Sequence, residues 1–600
     1  MKQKSSIIPY LILAVIAAYF GNRFIYEYLV YGNTSGMAAL LHAFNAVIDS
    51  IRQRPLFFAL EKECLLAALA GLAIGALAYC YFVLSAPTRR PGEEHGSASW
   101  GTITDAKKYR SKKDPGEDII FTQNVRLTLH SNNLPFQNRK NSNAVIVGGS
   151  GSGKTFTEVI PNLMQLHSSY VVTDPKGTLL PEVGEMFLQN GYRLAVLNTV
   201  NFAKSMHYNP LSYIRSETDI IKVITVLMEN TTGKGERSGE KFWIDSEKLL
   251  YQALIGWLIF SVVPEDRNMG NLLRMIRACE VREEDPDYVN AVDMMFAELE
   301  ADESTGGANN FAVTQYRLFK LSAGKTAKSI LISCAARLSV FAIPQVTELV
   351  SNDELLLDRL GDEKTAFFII VSDTDNTYDF LVAMVLSQMF NLLCQHADDD
   401  CGGKLPIPVR CVLDEFATCI GKLPNFERLV ATIRSREISC TLLVQSLAQI
   451  QALYKDDADT IVDCCDTMVF LGGKSQKTTK AISETIGKQT ISARNTTESK
   501  GQNGSYSLQD QGTGRDLIDP SEVAQIPMSK GIVLMTGEKP FLDDKYDPKR
   551  HPNYTQLASA TGKFFDVGHY LSTVRTAAQW KRDSDALAQQ PVDLGELNTL

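Results

Sequence analysis

The chain has 600 residues, 44% of them apolar and 22% charged, and a net charge of −9. That length exceeds what one hydrophobic core organises, and the composition excludes wholesale disorder. The negative balance excludes a protein that coats nucleic acid with its whole surface, so any such contact requires a local basic patch or a lined channel.

The first element is the apolar run Ile7–Asn22, which follows Lys2 and Lys4 and precedes Arg23 and Glu27. It reads as a membrane span, because no small-residue cleavage site follows that would make it a signal peptide. Cys64–Leu84 is uncharged for 21 residues, enough at about 1.5 Å per residue to cross a hydrocarbon core of roughly 30 Å. Gly71 and Gly75 form a G-x-x-x-G inside it, a spacing that lets helices pack closely. Arg89 and Arg90 follow. The positive-inside rule then predicts a multi-pass protein of the cytoplasmic membrane, with the N-terminus and the large body in the cytoplasm. Residues 21–63 are expected to be a short external loop. Lys107-Lys108-Tyr109-Arg110 is the densest basic cluster, suited to lipid or to an ordinary solvated face.

The apolar run Ala144–Val147 predicts a buried strand, and Gly148-Gly149-Ser150-Gly151-Ser152-Gly153-Lys154-Thr155 follows as G-x-x-x-x-G-K-T. Glycines in that pattern let consecutive backbone N–H groups cradle phosphate. Lys154 would serve the β- and γ-phosphates of ATP, and the Thr155 hydroxyl would ligate Mg²⁺. The helix after the loop adds its positive end. A flexible Gly/Ser loop is the alternative, but it does not account for the flanking strand and helix.

Hydrolysis also needs an acid at the tip of a neighbouring strand. Asp174, Asp373 and Asp414 each end a strand-like run, and only Asp414 is followed by a second carboxylate, Glu415. Asp414 is the expected Mg²⁺ ligand and Glu415 the expected base for the attacking water. Asp174-Pro175-Lys176-Gly177 is a polar turn on a strand expected beside that of the phosphate loop, either near the ligand crevice or a plain turn. Ile438–Val444 is another buried strand, with Gln445 at its tip to sense phosphate or water. Arg434 and Arg436 precede it, either one able to reach a neighbouring subunit's site. Spacing is helical from Ser216 to about Phe341, Ser492–Gly514 reads as a polar loop, and Gly531–Thr536 resumes a strand. Cysteines such as Cys411 and Cys440 read as reduced, buried thiols.

With these motifs in place the chain resembles the coupling ATPases of conjugation and type IV secretion, the TraG/TraD-like group. The resemblance covers His95-Gly96-Ser97-Ala98, the phosphate loop, Pro161-Asn162-Leu163, Asp174-Pro175-Lys176-Gly177, Asn209-Pro210-Leu211, Leu413-Asp414-Glu415-Phe416 and Val444-Gln445-Ser446 with Gln449. It implies a RecA-like α/β P-loop ATPase domain with an all-α insertion. It also implies a homohexameric ring that pumps single-stranded DNA or a relaxase–DNA complex, and type IV secretion components as partners. Arg434 best matches the family's trans-acting arginine, with Arg436 second.

The expected organisation is a membrane hairpin over 1–90 and a nucleotide-binding domain over 91–215 and 342–550. The insertion falls at 216–341, and 551–600 is a tail whose details are not carried over. An FtsK-like double-stranded DNA translocase and a non-motor docking receptor at a secretion pore are the rival readings. An ABC transporter would need an LSGGQ-like signature that the chain lacks.

Overall fold

The computed structural model describes residues 8–588, apart from 31–35, 85–92, 94, 232–240, 283–284, 286–287, 323 and 499–505. It divides into two compact units: Met1–Ser97 with Gln489–Arg515, and Ala98–Lys488 with Asp516–Leu600.

Two short strands, β1 (Asp118–Ile120) and β2 (Arg126–Thr128), pair in the larger unit before its main sheet begins. The sheet is made of β3 (Ala144–Val147), β4 (Ser169–Asp174), β5 (Arg193–Asn198), β6 (Thr365–Ile370), β7 (Val409–Leu413), β8 (Ile438–Val444) and β9 (Thr467–Phe470). β10 (Lys488–Glu498) and β11 (Tyr506–Asp516) form a separate ribbon, and β12 (Lys530–Met535) and β13 (Phe541–Asp544) return to the main sheet. The spatial order is β13-β12-β9-β3-β8-β7-β4-β6-β5. From β9 to β5 every pairing is parallel, and β12 and β13 add an antiparallel edge. Parallel strands need crossover connections that cover both faces of the sheet, so their residues are apolar without alternation. Accordingly β3, β4, β6, β7 and β8 are buried along their whole lengths.

The order corrects one expectation. The strand ending in Asp174 does not lie beside the phosphate-loop strand β3, because β8 and β7 intervene. The strand ending in Asp414, β7, is likewise one place removed from β3, with β8 between them. Chain order carries no record of which later strand is inserted between two earlier ones.

Between β5 and β6 the described residues contain helices and no strand, running from Glu217–Thr231 to Pro344–Leu349. Helix Lys241–Ser261 is central. Its Gly256 lies against Ala312, leaving an added Cβ 2.8 Å from the alanine's own, and its buried Glu247 pairs with Arg337 at 2.9 Å. Asn209 of the Asn-Pro-Leu motif caps the turn Pro210–Tyr213 and donates from Nδ2 to the Arg267 carbonyl at 2.6 Å.

One further expectation is corrected, and two regions are defined more closely. The described parts of Ser492–Gly514 belong to the β10–β11 ribbon rather than a loop; a strand ladder needs only backbone groups, so no apolar pattern announced it. Beyond residue 551 the described part includes helix Val567–Ala588, which docks through Tyr570 Oη onto the Leu194 carbonyl (2.9 Å) and Arg575 onto the Ser205 carbonyl (2.9 Å). In the basic cluster Tyr109 is buried and Lys108 pairs with Glu538 at 2.8 Å, while Lys107 is exposed.

In the smaller unit, helices Ile8–Val30 and Lys62–Leu84 are long and apolar enough to cross a membrane. The first runs past the expected end of its apolar stretch, and the segment between the two contains the helix Gly36–Gln53 instead of only loop. Gly71 and Gly75 face the first helix. A Cβ on Gly71 would fall 2.5 Å from the Ala18 nitrogen, and one on Gly75 would collide with Ala14. Asn22 clamps the turn back, donating to the Ala59 and Cys64 carbonyls at 2.9 and 3.1 Å. Helix Asp379–Asp399 of the larger unit is equally long and apolar but largely buried, as a core helix should be.

Candidate nucleotide site

The site forms where β3, β7 and β8 end. Gly148 leaves β3 with its N–H donating to the Val444 carbonyl (3.0 Å), and Gly149 donates to the Gly472 carbonyl (2.8 Å), so the loop is pinned to β8 and to the segment after β9. A Cβ on Gly148 would strike the Ser152 hydroxyl. Gly151 and Gly153 take φ of 75° and 90°, values that only glycine adopts without strain. The chain then enters a helix whose first turns, Lys154–Val159, are wound wide as a π-helix before Ile160–Leu163 tightens to α.

Five of the side chains singled out in the sequence meet here. Lys154 Nζ donates to the Gly148 carbonyl at 2.8 Å and lies 3.6 Å from Glu415 Oε1. The Thr155 hydroxyl donates to Asp414 Oδ2 at 3.2 Å, and the Asp414 backbone carbonyl is held by Thr173 Oγ1 at 2.8 Å. Gln445 Nε2 donates to both Glu415 oxygens, at 3.1 and 3.2 Å. Gln445 is itself fixed by Gln449, whose Oε1 accepts from its N–H at 2.8 Å. Glu415 sits in the left-handed region at φ 50°, a strained conformation for a non-glycine residue and one that recurs at functional sites. Burial pushes the Asp414 carboxyl above its usual range, and the nearby Lys154 charge offsets this in part.

The other two strand-tip acids stand apart. Asp174 accepts from three backbone N–H groups, those of Thr178 (3.1 Å), Leu179 (2.8 Å) and Leu180 (3.2 Å), and so caps the helix Leu179–Gln189. Lys176 beside it is exposed, and so is Asp373. The Asp-Pro-Lys-Gly turn is thus accounted for by capping.

Arg434 lies at the other end of the sheet, in the turn Ile433–Arg436 just before β8 starts. It is exposed, and its guanidinium has no partner among the described residues. Arg436 is committed: it grips Asp398 with Nε and Nη2 at 2.9 and 2.6 Å.

Sequence reasoning missed Lys545. Its ammonium donates to the carbonyls of Ser152 in the loop (2.8 Å) and Leu471 after β9 (2.7 Å), and burial lowers its pKa. Fully buried Glu158 lies near it, its carboxyl raised well above the usual range by burial. Asn162 ties the loop's helix to β1, exchanging hydrogen bonds with both the N–H (3.0 Å) and carbonyl (2.8 Å) of Ile120. Its motif was visible, but nothing in the sequence said what it holds.

The loop fits a nucleotide phosphate on its own chemistry. Its backbone turns around a space that tolerates no side chain at Gly148, and the buried Ser152 hydroxyl has no hydrogen-bond partner. Thr155 and Asp414 supply the hard oxygen donors that Mg²⁺ prefers.

Comparison with known proteins identifies the family and the fold. The family model for type IV secretory system conjugative DNA transfer matches residues 93–546. The chain is 25% identical over 489 residues to the conjugal transfer protein TraG of Agrobacterium fabrum (strain C58), covering 77% of this chain and 71% of that one. It is 23% identical over 483 residues to the type IV secretion system-coupling protein VirD4 of Bartonella quintana (strain Toulouse), covering 74% and 72%. Among solved structures, the bacterial conjugative coupling protein TrwBdeltaN70 in its unbound monoclinic form superposes with a TM-score of 0.54 at 14% identity, over 76% of this chain and 94% of that one. TrwB in complex with ADP and Mg²⁺ superposes with a TM-score of 0.52 at 14% identity, over 76% of this chain and 96% of that one. These superpositions show a common α/β P-loop fold. The chain therefore belongs to the type IV secretory system conjugative DNA transfer family, as a coupling protein of type IV secretion.

Proposed function

We propose that the chain hydrolyses ATP to drive single-stranded DNA, or a relaxase–DNA complex, into a type IV secretion channel. The convergence of Lys154, Thr155, Asp414, Glu415 and Gln445 at three strand tips carries this reading. In it, the loop from Gly148 to Thr155 wraps the phosphates with backbone N–H groups, and Thr155 and Asp414 hold Mg²⁺. When bound, that ion neutralises charge on the β- and γ-phosphates. Lys154 exchanges the Gly148 carbonyl and Glu415 for phosphate oxygens, which frees the Glu415 carboxylate. Glu415 then takes a proton from the attacking water as the bond to the γ-phosphorus forms and ADP leaves. Gln445 keeps Glu415 and the water aligned.

Arg434 cannot serve its own chain's site, because it stands at the opposite ends of the strands. It reaches the site of the next subunit in a RecA-like homohexameric ring. The two apolar helices anchor the protein in the cytoplasmic membrane as a multi-pass hairpin, with the N-terminus and the nucleotide site in the cytoplasm. Secretion-channel components and the relaxase complete the list of partners, and the helical region 216–341 is an insertion within the 91–550 nucleotide-binding domain.

The test is ATP turnover by the detergent-solubilised full chain, with and without single-stranded DNA, beside Lys154→Ala. DNA-stimulated, lysine-dependent turnover is the expected result. A folded, oligomeric protein without lysine-dependent turnover would overturn the motor reading in favour of a docking receptor. Mixing Arg434→Ala with Glu415→Gln subunits should restore part of the activity, and no recovery at any ratio would rule out a shared site.

A further inference from the structure

At the start of the strands, away from the phosphate loop, a second group of side chains converges from separate parts of the chain. His396 lies in the last turn of helix Asp379–Asp399, Cys401 in the loop that follows, and Asp362 in the turn leading into β6. His396 Nε2 is 2.8 Å from Asp362 Oδ1 and 3.4 Å from Cys401 Sγ. One ligand atom from each of the three residues lies within 4.8 Å of the other two. The other ring nitrogen, Nδ1, faces Asp400 Oδ2 at 2.9 Å.

We infer that Asp362, His396 and Cys401 form a binding site for a divalent cation of the zinc class. A thiolate, an imidazole and a carboxylate are the donor set that suits Zn²⁺, with water left to the fourth position. The spacing agrees. Zn–S and Zn–N bonds of about 2.3 and 2.0 Å at a tetrahedral angle put sulfur and nitrogen about 3.5 Å apart. Asp400 supplies what a zinc-bound histidine usually has, a carboxylate on its far nitrogen that fixes the tautomer and turns Nε2 toward the metal. Binding displaces the protons of the Cys401 thiol and His396 Nε2 to solvent.

The site has a structural consequence. The backbone beyond Cys401 is bonded to two other loops, Ile407 N–H to the Gly361 carbonyl (3.0 Å) and Leu405 N–H to the Arg436 carbonyl (3.3 Å). Asp398, one turn before Cys401, is the partner of Arg436. A metal clamp across 362, 396 and 401 therefore stiffens the support of the turn that presents Arg434. The clamp does not depend on the ATPase reading.

The experiment uses untagged full-length protein in detergent, stripped with a chelator and titrated with Co²⁺ alone. The expected result is one ion per chain, with a thiolate-to-cobalt charge-transfer band in the near ultraviolet that Zn²⁺ abolishes. Cys401→Ser should remove that band, and His396→Gln and Asp362→Asn should each weaken binding at least tenfold. Asp400→Asn, which touches no metal, should weaken it by roughly ten- to a hundredfold. Each variant is compared at a temperature where its melting curve shows it folded. A folded wild type without a thiolate band, or a band that survives Cys401→Ser, would overturn the inference and leave the cluster as an ion-paired histidine.

Discussion

Asp174 ends β4 and Asp414 directly follows β7, two neighbouring parallel strands of one sheet, and burial raises both carboxyls above their usual range. Their partners differ completely. Asp174 is saturated by three backbone N–H groups and holds a helix start. Asp414 accepts from its own neighbour's N–H (Glu415, 3.0 Å) and from a single side chain, the Thr155 hydroxyl of the phosphate loop. The same residue type at equivalent strand ends thus becomes a structural cap in one place and, in the other, a carboxylate turned to the phosphate loop, where it is the proposed Mg²⁺ ligand. What separates them is the loop each one faces.

Substitutions at the phosphate loop should separate the two strand ends most. Lys154→Ala or Glu415→Gln is expected to lower ATP turnover by on the order of a thousandfold, measured as phosphate release, with an unchanged melting temperature. Asp414→Asn should lose at least a hundredfold of turnover, again without loss of stability. Asp174→Ala should do the reverse. It is expected to cost about 1–2 kcal/mol in chemical denaturation through the lost cap, with turnover per folded chain within a few-fold of wild type. If Asp174→Ala instead abolished turnover in folded protein, the contrast between the two tips would be lost.

Smaller effects sharpen the picture around the loop. Gln445→Ala removes the hydrogen bonds that aim Glu415 and should lower kcat about tenfold with little change in KM. Lys545→Met frees the Ser152 carbonyl and should raise KM for ATP by roughly three- to tenfold, with Lys545→Arg recovering part of the loss. Away from the site, burial holds His551 at a pKa of about 4, against 6.5 for a free histidine. Its folded pKa is depressed, so its contribution to stability is complete above pH 6.5 and is lost as pH falls toward 4. That is worth about 3 kcal/mol, and His551→Asn should flatten the unfolding free energy across that window.

The phosphate loop was legible because its chemistry lies in consecutive residues: Val147 ends the strand, Gly148 to Gly153 turn, and Lys154 starts the helix. Asp414–Glu415 stood out from Asp174 and Asp373 because two adjacent carboxylates carry more information than one. The rest depended on contacts between distant residues. Lys545 is 393 residues from the Ser152 carbonyl it holds, and no local pattern marks it. The capping role of Asp174 depends on the helix turning back over it, and a Pro-Lys-Gly sequence is equally compatible with a bare turn. The β10–β11 ribbon escaped because periodic burial is what reveals a strand, and its polar sequence has no such period. Helix Val567–Ala588 escaped because only its first turns are held, by buried Val567 and Leu571 and by Tyr570 and Arg575 on backbone carbonyls, too few apolar positions to show a helical period.

The glycines of the second apolar helix have a mechanical meaning. Gly71 and Gly75 bring that helix so close to Ala14, Ala17 and Ala18 that no lipid tail fits between the two. In hydrocarbon an apolar side chain gains nothing by leaving lipid, so helices stay together through close backbone packing of this kind. In the proposed membrane hairpin the pair would therefore act as one stiff peg instead of two independent tethers. In that proposed hairpin a pull or twist applied to its base would pass along both helices together, where two loosely packed ones would splay and absorb it.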